Sequence, residues 1–314
     1  MSCYHILAST KNMDRKEWLE MRRSGIGGSD VPILAGIHPY KSVLQLWKEK
    51  RGESRLEGSA SESAYWGTIL EDTVRKEFMK RTGLKVRRKN FLLQHRRYPF
   101  MIADVDGIIR EADGSYAVFE AKTAVEYKNK DWEEGKVPLS YQLQIQHYLA
   151  VTGFEKAYIA ALVGGNKFYS YEISRDEACI EELVKMEQRF WSHVADGTMP
   201  EIDGSKATGE YLDQNYPVTE KETVLELDHE YDALLERYDL IKVQMEEMGY
   251  EKKKIENQIK AGLGGYENAR AGGYVIKWKS SVQNRVDTKK LKEEYQEVYH
   301  NCIRPIAVRR FSVA

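Results

Sequence analysis

The stretch FMIADVDGIIREADGSYAVFEAKT, residues 100–123, decides the fold. Its apolar residues predict two β-strands, one over residues 100–110 and one over residues 115–123. The segment that joins them contains Asp113-Gly114, a dipeptide that favours a tight hairpin turn. The sequence therefore predicts that the two strands lie side by side.

Three charged residues of this hairpin form the candidate catalytic group. Successive side chains of a strand alternate between its faces, so Glu120 and Lys122 project to the same side. The turn brings Asp106, on the first strand, beside them. Two carboxylates and an ammonium group suit a hard divalent cation with a lysine near the reacting water. A buried structural ion pair is the alternative, because the apolar neighbours of Glu120 make its strand look buried.

The charges of the chain are balanced. Its 314 residues include 48 basic and 49 acidic side chains, which gives a formal net charge of −1. Such a balance does not exclude a local basic groove for DNA, and the densest basic stretches are residues 85–89 and 95–98. On charge alone, each of these stretches is more simply a solvated face.

Cysteines and apolar runs exclude several classes of protein. Cys3, Cys179 and Cys302 are far apart and form no CxxC pair, which argues against a structural zinc site, a four-cysteine iron–sulfur cluster and a disulfide framework. The sequence has neither an apolar run of transmembrane length nor a signal-peptide pattern. We therefore expect a soluble, cytoplasmic protein without a membrane partner.

Elsewhere the hydrophobic spacing predicts mainly helices. The predicted helices lie around Trp18 and Met21 and over residues 31–36, 42–50, 65–81, 139–153, 176–196 and 288–299. Further strands are predicted over residues 157–165, 168–174 and near 306–313, and a loop over residues 52–61.

The composition changes after Pro217, which predicts one domain over residues 1–217 and a second part over residues 218–314. From Asp228 to about Ala261, apolar residues recur at alternating steps of four and three, as in a coiled-coil-type helix. A hairpin around Gly272-Gly273 and the last predicted helix follow. The second part is thus expected to be a helical arm with a small appendage.

The motif GIGGSD, residues 25–30, is a candidate anion site. Glycines let backbone N–H groups approach an anion, and Ser29 would lie at the start of a helix whose dipole favours negative charge. Two simpler interpretations stay open. Ser29 could be a helix N-cap, and the glycines could form a tight turn.

Four blocks of sequence, in order, resemble the YqaJ and phage lambda exonuclease branch of the PD-(D/E)XK nucleases. They are W-x-x-M-R-R-S-G-I-G-G-S-D (18–30), W-G-T-I-L-E (66–71), the D-G to E-A-K hairpin (106–122) and Y-Q-L-Q-I-Q-x-Y-L (141–149). Each block is weak alone, and four in this order are specific. The resemblance implies an α/β (α+β) fold in which helices flank a mixed central β-sheet.

The resemblance also implies a metal site. Glu71, Asp106 and Glu120, with the backbone carbonyl of Ala121, would hold one or two Mg²⁺ or Mn²⁺ ions. Lys122 would orient or activate the attacking water. Outside the resemblance, Glu71 would be taken for a solvated residue of an amphipathic helix.

Further residues match the parts of the family that contact DNA. Gln144 and Tyr148 match a motif that steadies the metal site or the DNA backbone, although a simple hydrogen-bonded pair on one helix face is nearly as good an interpretation. Arg22 and Ser29 align with the pocket for a 5′-terminal phosphate. Asp104 departs from the family, because lambda exonuclease has a serine there. An added carboxylate puts strict recognition of a 5′-phosphate in doubt.

The function that the resemblance implies is 5′→3′ exonucleolytic digestion of linear double-stranded DNA. Such enzymes often act beside a single-strand annealing protein in phage or prophage recombination, inside the bacterial host. Two alternatives remain: a catalytically silent DNA-end-binding or scaffolding module, and an endonuclease with the same core. An iron–sulfur nuclease is disfavoured by the scattered cysteines. The arm has three candidate roles, namely self-association, DNA binding and binding of the annealing partner.

Overall fold

A computed structural model describes residues 2–53, 61–216, 224–304 and 309–313 of the chain. The chain divides into two compact units, Met1–Pro217 and Val218–Ala314. No helix in the described ranges is both long and apolar enough to cross a lipid bilayer.

The first unit contains eight of the described strands and seven of the described α-helices. The strands are β1 (Tyr4–Ser9), β2 (Val86–Arg87), β3 (Phe91–His95), β4 (Ile102–Asp104), β5 (Gly107–Arg110), β6 (Tyr116–Ala124), β7 (Lys156–Val163) and β8 (Lys167–Ser174). The helices are α1 (Arg15–Arg22), α2 (Val31–Leu34), α3 (Val43–Lys50), α4 (Glu62–Thr82), α5 (Leu139–Thr152), α6 (Glu177–Asp196) and α7 (Lys206–Asn215).

The central sheet has five strands in the order β2-β5-β6-β7-β8. The β5–β6 pair is antiparallel, which confirms the predicted hairpin, and its register places Gly107 opposite Phe119. Strands β6 and β7 are parallel, with α5 in the connection between them. The sheet is therefore mixed and flanked by helices, and the predicted fold class is confirmed.

The prediction of one continuous strand over residues 100–110 was wrong. Strand β4 belongs to a separate three-stranded sheet of order β1-β3-β4, whereas β5 belongs to the central sheet. The chain changes sheets between Asp104 and Gly107, because β4 pairs with β3 and β5 pairs with β6. Strands β1 and β3 of the smaller sheet were not predicted, because neither segment has a turn signal or a clear alternation of apolar and polar residues.

Helices cover both faces of the central sheet. On one face, Val74 and Phe78 of α4 pack against Phe119 of β6. On the other face, Ile145 and Leu149 of α5 pack in a larger cluster with Val118 and the smaller sheet. Every residue of α5 from Gln144 to Thr152 is buried, so polar residues of that segment must find partners inside the protein.

The second unit contains helix α8 (Glu230–Leu263), strands β9 (Asn268–Ala271) and β10 (Tyr274–Lys277), and helices α9 (Thr288–Glu294) and α10 (Gln296–Cys302). The long arm helix and the hairpin were predicted. The helix predicted over residues 288–299 is two helices, which are separated at Tyr295. Among the described residues of α8, only Leu263 is buried, so its apolar stripe faces solvent within this unit.

Two predictions fall partly on residues outside the described ranges. These are residues 54–60 of the expected loop and residues 306–308 of the expected last strand. Residues 309–313 are described and do not form a strand, so the strand prediction was wrong for them.

Candidate active site

The hairpin brings the predicted charged residues together. Lys122 Nζ donates to Glu120 Oε1 over 2.6 Å, which shows that both side chains lie on one face of β6. Asp106 lies beside them, and its Oδ2 accepts a hydrogen bond from the backbone N–H of Ala121 over 2.8 Å. Gly107, which follows Asp106 in the chain, must be a glycine, because a Cβ at this position would lie 2.5 Å from Val86 Cγ1.

Glu120 has one satisfied and one unsatisfied carboxylate oxygen. The residue is only 3% exposed. Its Oε1 accepts hydrogen bonds from Lys122 Nζ and, over 2.8 Å, from Gln144 Nε2. Its Oε2 is buried and has no hydrogen-bond partner among the described residues. A buried acceptor without a partner is costly, so this oxygen is suited to a ligand that the protein itself does not supply.

The carboxyl groups around Glu120 raise one another's proton affinity. Burial raises the pKa of Asp106 well above its ordinary value, and the charge of Glu120 adds to this effect. Burial also raises the pKa of Glu120, although Lys122 opposes the shift. The pKa of Glu71 rises to about 7, through burial and the nearby Asp106. A site in which three carboxyl groups resist ionisation would gain from an added positive charge.

Lys122 keeps its charge in this environment. Burial alone would lower the pKa of its ammonium group, but the carboxylates of Glu120 and Asp106 raise it above the ordinary value. The ammonium group also lies 5.0 Å from the ring centre of Tyr141. Lys122 is therefore placed as a hydrogen-bond donor toward the carboxylates.

The residues present fit a hard divalent cation. The donors are carboxylate oxygens, which Mg²⁺ and Mn²⁺ prefer, and the unsatisfied Glu120 Oε2 is among them. No three acidic, histidine or cysteine side chains in the described ranges already surround one point as a complete cation site. Glu71 Oε1 instead lies 3.5 Å from the guanidinium of Arg88. The Ala121 carbonyl stays a predicted ligand.

Gln144 and Tyr148 connect the carboxylates to the glycine-rich turn. Gln144 Nε2 donates to Glu120 Oε1 and, over 2.9 Å, to the hydroxyl of Tyr148. The turn packs directly on this pair, since a Cβ on Gly28 would lie 2.6 Å from the Tyr148 ring. Gln144 and Tyr148 are therefore a hydrogen-bonded pair on one face of α5. The pair is buried, and Gln144 contacts Glu120 of the candidate site.

The glycines form the tight turn that was the simpler prediction, since the backbone N–H of Asp30 donates to the carbonyl of Gly27 over 2.8 Å. Ser29 lies inside a short 3-10 turn, Gly28–Asp30, and Asp30 is the residue that precedes helix α2. The N-cap interpretation of Ser29 was therefore wrong. Helix α2 covers four residues, Val31–Leu34, and not residues 31–36. So short a helix has a weak dipole, and positive charge at this turn comes mainly from side chains.

Arg22 supplies that positive charge. Its Nη2 donates over 2.8 Å to Ser29 Oγ and over 2.8 Å to Asp30 Oδ1. The predicted pair of Arg22 and Ser29 thus lies within hydrogen-bond distance, and Asp30 joins it.

Lys50 is a residue of this cluster that the sequence did not reveal. Its ammonium group donates to Asp30 Oδ2 over 2.7 Å and to the carbonyls of Arg22 and Gly25 over 2.8 and 2.6 Å. Its place at the end of an amphipathic helix predicts a solvated side chain, so no local signal could have identified it.

An open cavity of about 520 Å³ joins the two halves of the site. It is lined by most of the predicted site residues, namely Arg22, Ser29, Glu71, Asp106, Gln144 and Tyr148. Asp104 also lines this cavity, and its Oδ2 accepts a hydrogen bond from Trp18 Nε1 over 2.9 Å. Lys122 lines a neighbouring cleft of about 550 Å³, which shares Ser29 and Gln144 with the first. These two neighbouring cavities are lined by all of the candidate residues except Glu120 and Ala121.

Known proteins resemble the chain in sequence and in fold. Residues 17–155 match the family described as the YqaJ-like viral recombinase domain. Two solved structures are similar in fold. An alkaline exonuclease (LHK-Exo) from Laribacter hongkongensis has 19% identity and a TM-score of 0.47, over 64% of this chain and 98% of that one. A phage related exonuclease from Haemophilus somnus has 14% identity and a TM-score of 0.41, over 55% and 96%.

A full-length relative gives the family. The YqaJ protein of Bacillus subtilis (strain 168) is 43% identical over 311 residues, which cover 98% of this chain and 97% of the relative. Since identity at this level extends over nearly the whole of both chains, the chain belongs to the YqaJ family.

Proposed function

We propose that this protein is a metal-dependent deoxyribonuclease that digests linear double-stranded DNA in the 5′→3′ direction. The observation that carries the proposal is the buried Glu120 Oε2, which has no partner among the described residues although Lys122 and Gln144 hold the other oxygen. A bare acceptor alone does not decide this, because Glu187 Oε2, in the buried pair with His147, also has no partner among the described residues. At Glu120 the negative charges of Asp106 and Glu71 are added, and such a group of carboxylates suits a cation.

Each side chain of the site has a part in hydrolysis of a phosphodiester. Glu71, Asp106 and Glu120 would hold one or two Mg²⁺ or Mn²⁺ ions, which when bound would polarise the phosphate and acidify water. Lys122, charged and held by Glu120, would orient the attacking water and offset charge that develops on the phosphate. Gln144 fixes the position of Glu120 from the opposite side.

The other end of the cavity supports the direction of digestion. Arg22 and Ser29 form a positively charged, hydrogen-bonding corner in the cavity that Glu71 and Asp106 also line. A terminal 5′-phosphate bound at this corner would place an interior phosphodiester toward the carboxylates. Asp104 is in the same cavity, and its charge would reduce the preference for a phosphorylated end.

The biological setting is proposed from the family. Its description as a viral recombinase domain supports a role in phage or prophage recombination within the host cytoplasm, beside a single-strand annealing protein. Residues 1–217 would be the nuclease domain and residues 218–314 an appended arm. The exposed apolar stripe of α8 would then serve self-association, DNA binding or binding of the annealing partner.

The direct test is digestion of linear duplex DNA labelled at its 5′ or 3′ end, with Mg²⁺ or with EDTA. Lys122→Ala should abolish digestion. Lys167→Ala is the matched control, because Lys167 of β8 also pairs with a glutamate, Glu126, but both side chains are exposed and Glu126 lies outside the sheet. We expect the parent protein and the control variant, but not Lys122→Ala, to release the 5′ label before the 3′ label, and only when Mg²⁺ is present.

Other outcomes would assign another function. Cleavage of circular duplex DNA would make the protein an endonuclease with the same site. If folded protein that binds Mn²⁺ cleaved neither form, the enzyme proposal would fail and a DNA-end-binding module would remain.

A further inference from the structure

One cavity of the first unit lies outside the candidate active site. It has a volume of about 720 Å³ and is lined by four cationic side chains, Arg87, Arg88, Lys89 and Arg110, and by no aspartate or glutamate of the described ranges. We call it the basic cavity. In a chain whose formal net charge is −1, this segregation of charge marks a site for a polyanion.

The register of the central sheet explains how these cations come together. Arg87 is paired with Ile108, and Arg110 lies two residues further along β5, so both project from the same face of the sheet. Tyr116 is the cross-strand partner of Arg110 and projects from that face as well. Two cations and an aromatic ring are thus fixed on adjacent strands and not on a loop.

The cations are available to a ligand. Among the described residues, neither Arg87 nor Arg110 pairs with a carboxylate, and Lys89 only approaches the ring of Phe91, at 5.4 Å. Arg88 differs from these three cations, because its guanidinium lies 3.5 Å from Glu71 Oε1 of the candidate active site. Arg88 therefore lies between the basic cavity and the carboxylates of that site.

Aromatic rings form the rest of the lining. Tyr116 stacks on Phe154 with ring centres 5.8 Å apart, and Tyr4 meets Phe154 edge-on at 6.3 Å. Tyr116 is 48% exposed, so the stack can be extended by one more flat ring. Bases of a duplex are stacked on each other and cannot do this, whereas unpaired bases can.

We propose that the basic cavity binds single-stranded DNA, with phosphates on Arg87, Lys89 and Arg110 and a base on Tyr116. That this strand is the one left unpaired by digestion rests on the proposed function. The binding itself does not, since it requires neither a cation nor hydrolysis.

The test measures binding of a short fluorescein-labelled oligothymidylate to the full chain in EDTA, over a range of salt concentrations. Arg87→Gln/Arg110→Gln should weaken binding about tenfold or more, and should reduce the slope of log affinity against log salt by about 1.4, because each phosphate contact on a single strand contributes about 0.7. Lys80→Gln/Arg189→Gln removes two exposed cations elsewhere in the first unit and should change neither value.

The aromatic part is tested separately. Tyr116→Ala should weaken binding about fivefold or more, since stacking on one base has roughly that value. Tyr116→Phe keeps the ring and should bind like the parent protein, which separates loss of stacking from misfolding. Hydrolysis of thymidine 5′-p-nitrophenyl phosphate with Mn²⁺ should be unchanged in all these variants, because none alters a candidate active-site residue.

Three results would overturn the proposal. One is an equal effect of the control pair and the Arg87/Arg110 pair. Another is an equal loss of blunt duplex binding with no effect of Tyr116→Ala, which would make the cavity a duplex-binding surface. The third is full competition by polyglutamate, which would point to an acidic protein. Absence of hydrolysis by the parent protein would instead count against the proposed function and leave the binding result valid.

Discussion

Two buried carboxylates of the first unit have nearly the same surroundings and opposite electrostatics. Asp30 and Glu120 are 4% and 3% exposed, and each has a lysine ammonium group within 2.7 Å. Asp30 Oδ1 accepts from Arg22, and its Oδ2 accepts from Lys50 and from the backbone N–H of Gly27. Glu120 has two donors on one oxygen and none, within the described ranges, on the other.

The pKa values follow this difference. Burial raises the pKa of both carboxyls, but Arg22 and Lys50 outweigh it at Asp30 and hold that pKa below its ordinary value. At Glu120 burial prevails over Lys122, and the pKa is raised. A buried lysine–carboxylate pair therefore does not by itself mark a reactive site. The distinguishing feature of Glu120 is that an unsatisfied acceptor coincides with neighbouring carboxyl groups, Glu71 and Asp104, which raise its pKa further.

The largest effect should come from Glu120→Gln. We expect it to reduce the rate of DNA digestion about 1000-fold, since electrostatic groups at a reacting centre are worth this much. The free energy of unfolding in EDTA should change little, because the repulsion between Glu120 and Asp106 is removed while Asp106 still offsets the charge of Lys122. Digestion rates and urea denaturation measure the two quantities. If the variant kept its activity, Glu120 would be a structural carboxylate like Asp30.

Asp30→Asn should have the opposite outcome. It leaves Lys50 and Arg22 without their carboxylate, and breaking a buried pair in this way costs about 3–5 kcal/mol of unfolding free energy. Urea denaturation of the variant is the measurement. Asp30→Asn/Lys50→Met should recover part of the loss, because the unpaired ammonium group is then absent. A loss below about 1 kcal/mol in the single variant would show that Lys50 finds water instead.

The dependence of stability on pH should separate the two kinds of carboxylate. Glu71, with its pKa raised from 4.5 to about 7, keeps a proton in the folded state that the unfolded chain has released. The unfolding free energy of metal-free protein should therefore fall as the pH rises through this interval. Asp30, with a lowered pKa, contributes stability above its ordinary 3.8 and loses it as the pH falls below.

Urea denaturation in EDTA at a series of pH values tests this expectation. Glu71→Gln should flatten the decline between the ordinary and the raised pKa of Glu71. The difference in unfolding free energy between the parent protein and Asp30→Asn should become smaller at acid pH, where Asp30 of the parent protein is itself protonated. An unchanged decline in Glu71→Gln would show that another group carries it.

The smallest effect is expected for Tyr148→Phe. The change removes the hydroxyl that accepts from Gln144, but Gln144 keeps its bond to Glu120. We expect a loss of about 1 kcal/mol in unfolding free energy and a fall in digestion rate of a few fold. Tyr127→Phe is the control, since Tyr127 is 78% exposed. If Tyr148→Phe lost as much activity as Glu120→Gln, the hydroxyl would itself contact the substrate.

The parts of the site that are close in sequence could be predicted. The Asp113-Gly114 turn and strand alternation were sufficient to place Asp106, Glu120 and Lys122 together, and the structure shows these contacts. Gln144 required the family resemblance, because helix spacing alone does not reveal which way a polar residue points.

The parts that depend on distant pairing could not be predicted. Lys50 reaches Asp30 across 20 residues, and nothing in its own helix distinguishes it from a solvated lysine. The change of sheet near Val105 is set by strand β3, whose pairing with β4 has no local sequence signal. The unsatisfied oxygen of Glu120 is a property of packing alone.

The parallel pairing of β6 with β7 has a consequence for synthesis of the protein. Strand β6 is complete at Ala124, but its partner ends at Val163 after an intervening helix. During translation, at about 5–20 residues per second, the ribosome would therefore release β6 seconds before β7 exists. Pairing over so long a separation is also slow to form. The hairpin that carries Asp106, Glu120 and Lys122 is thus synthesised seconds before Gln144 and β7, and the site is complete only when both have been added.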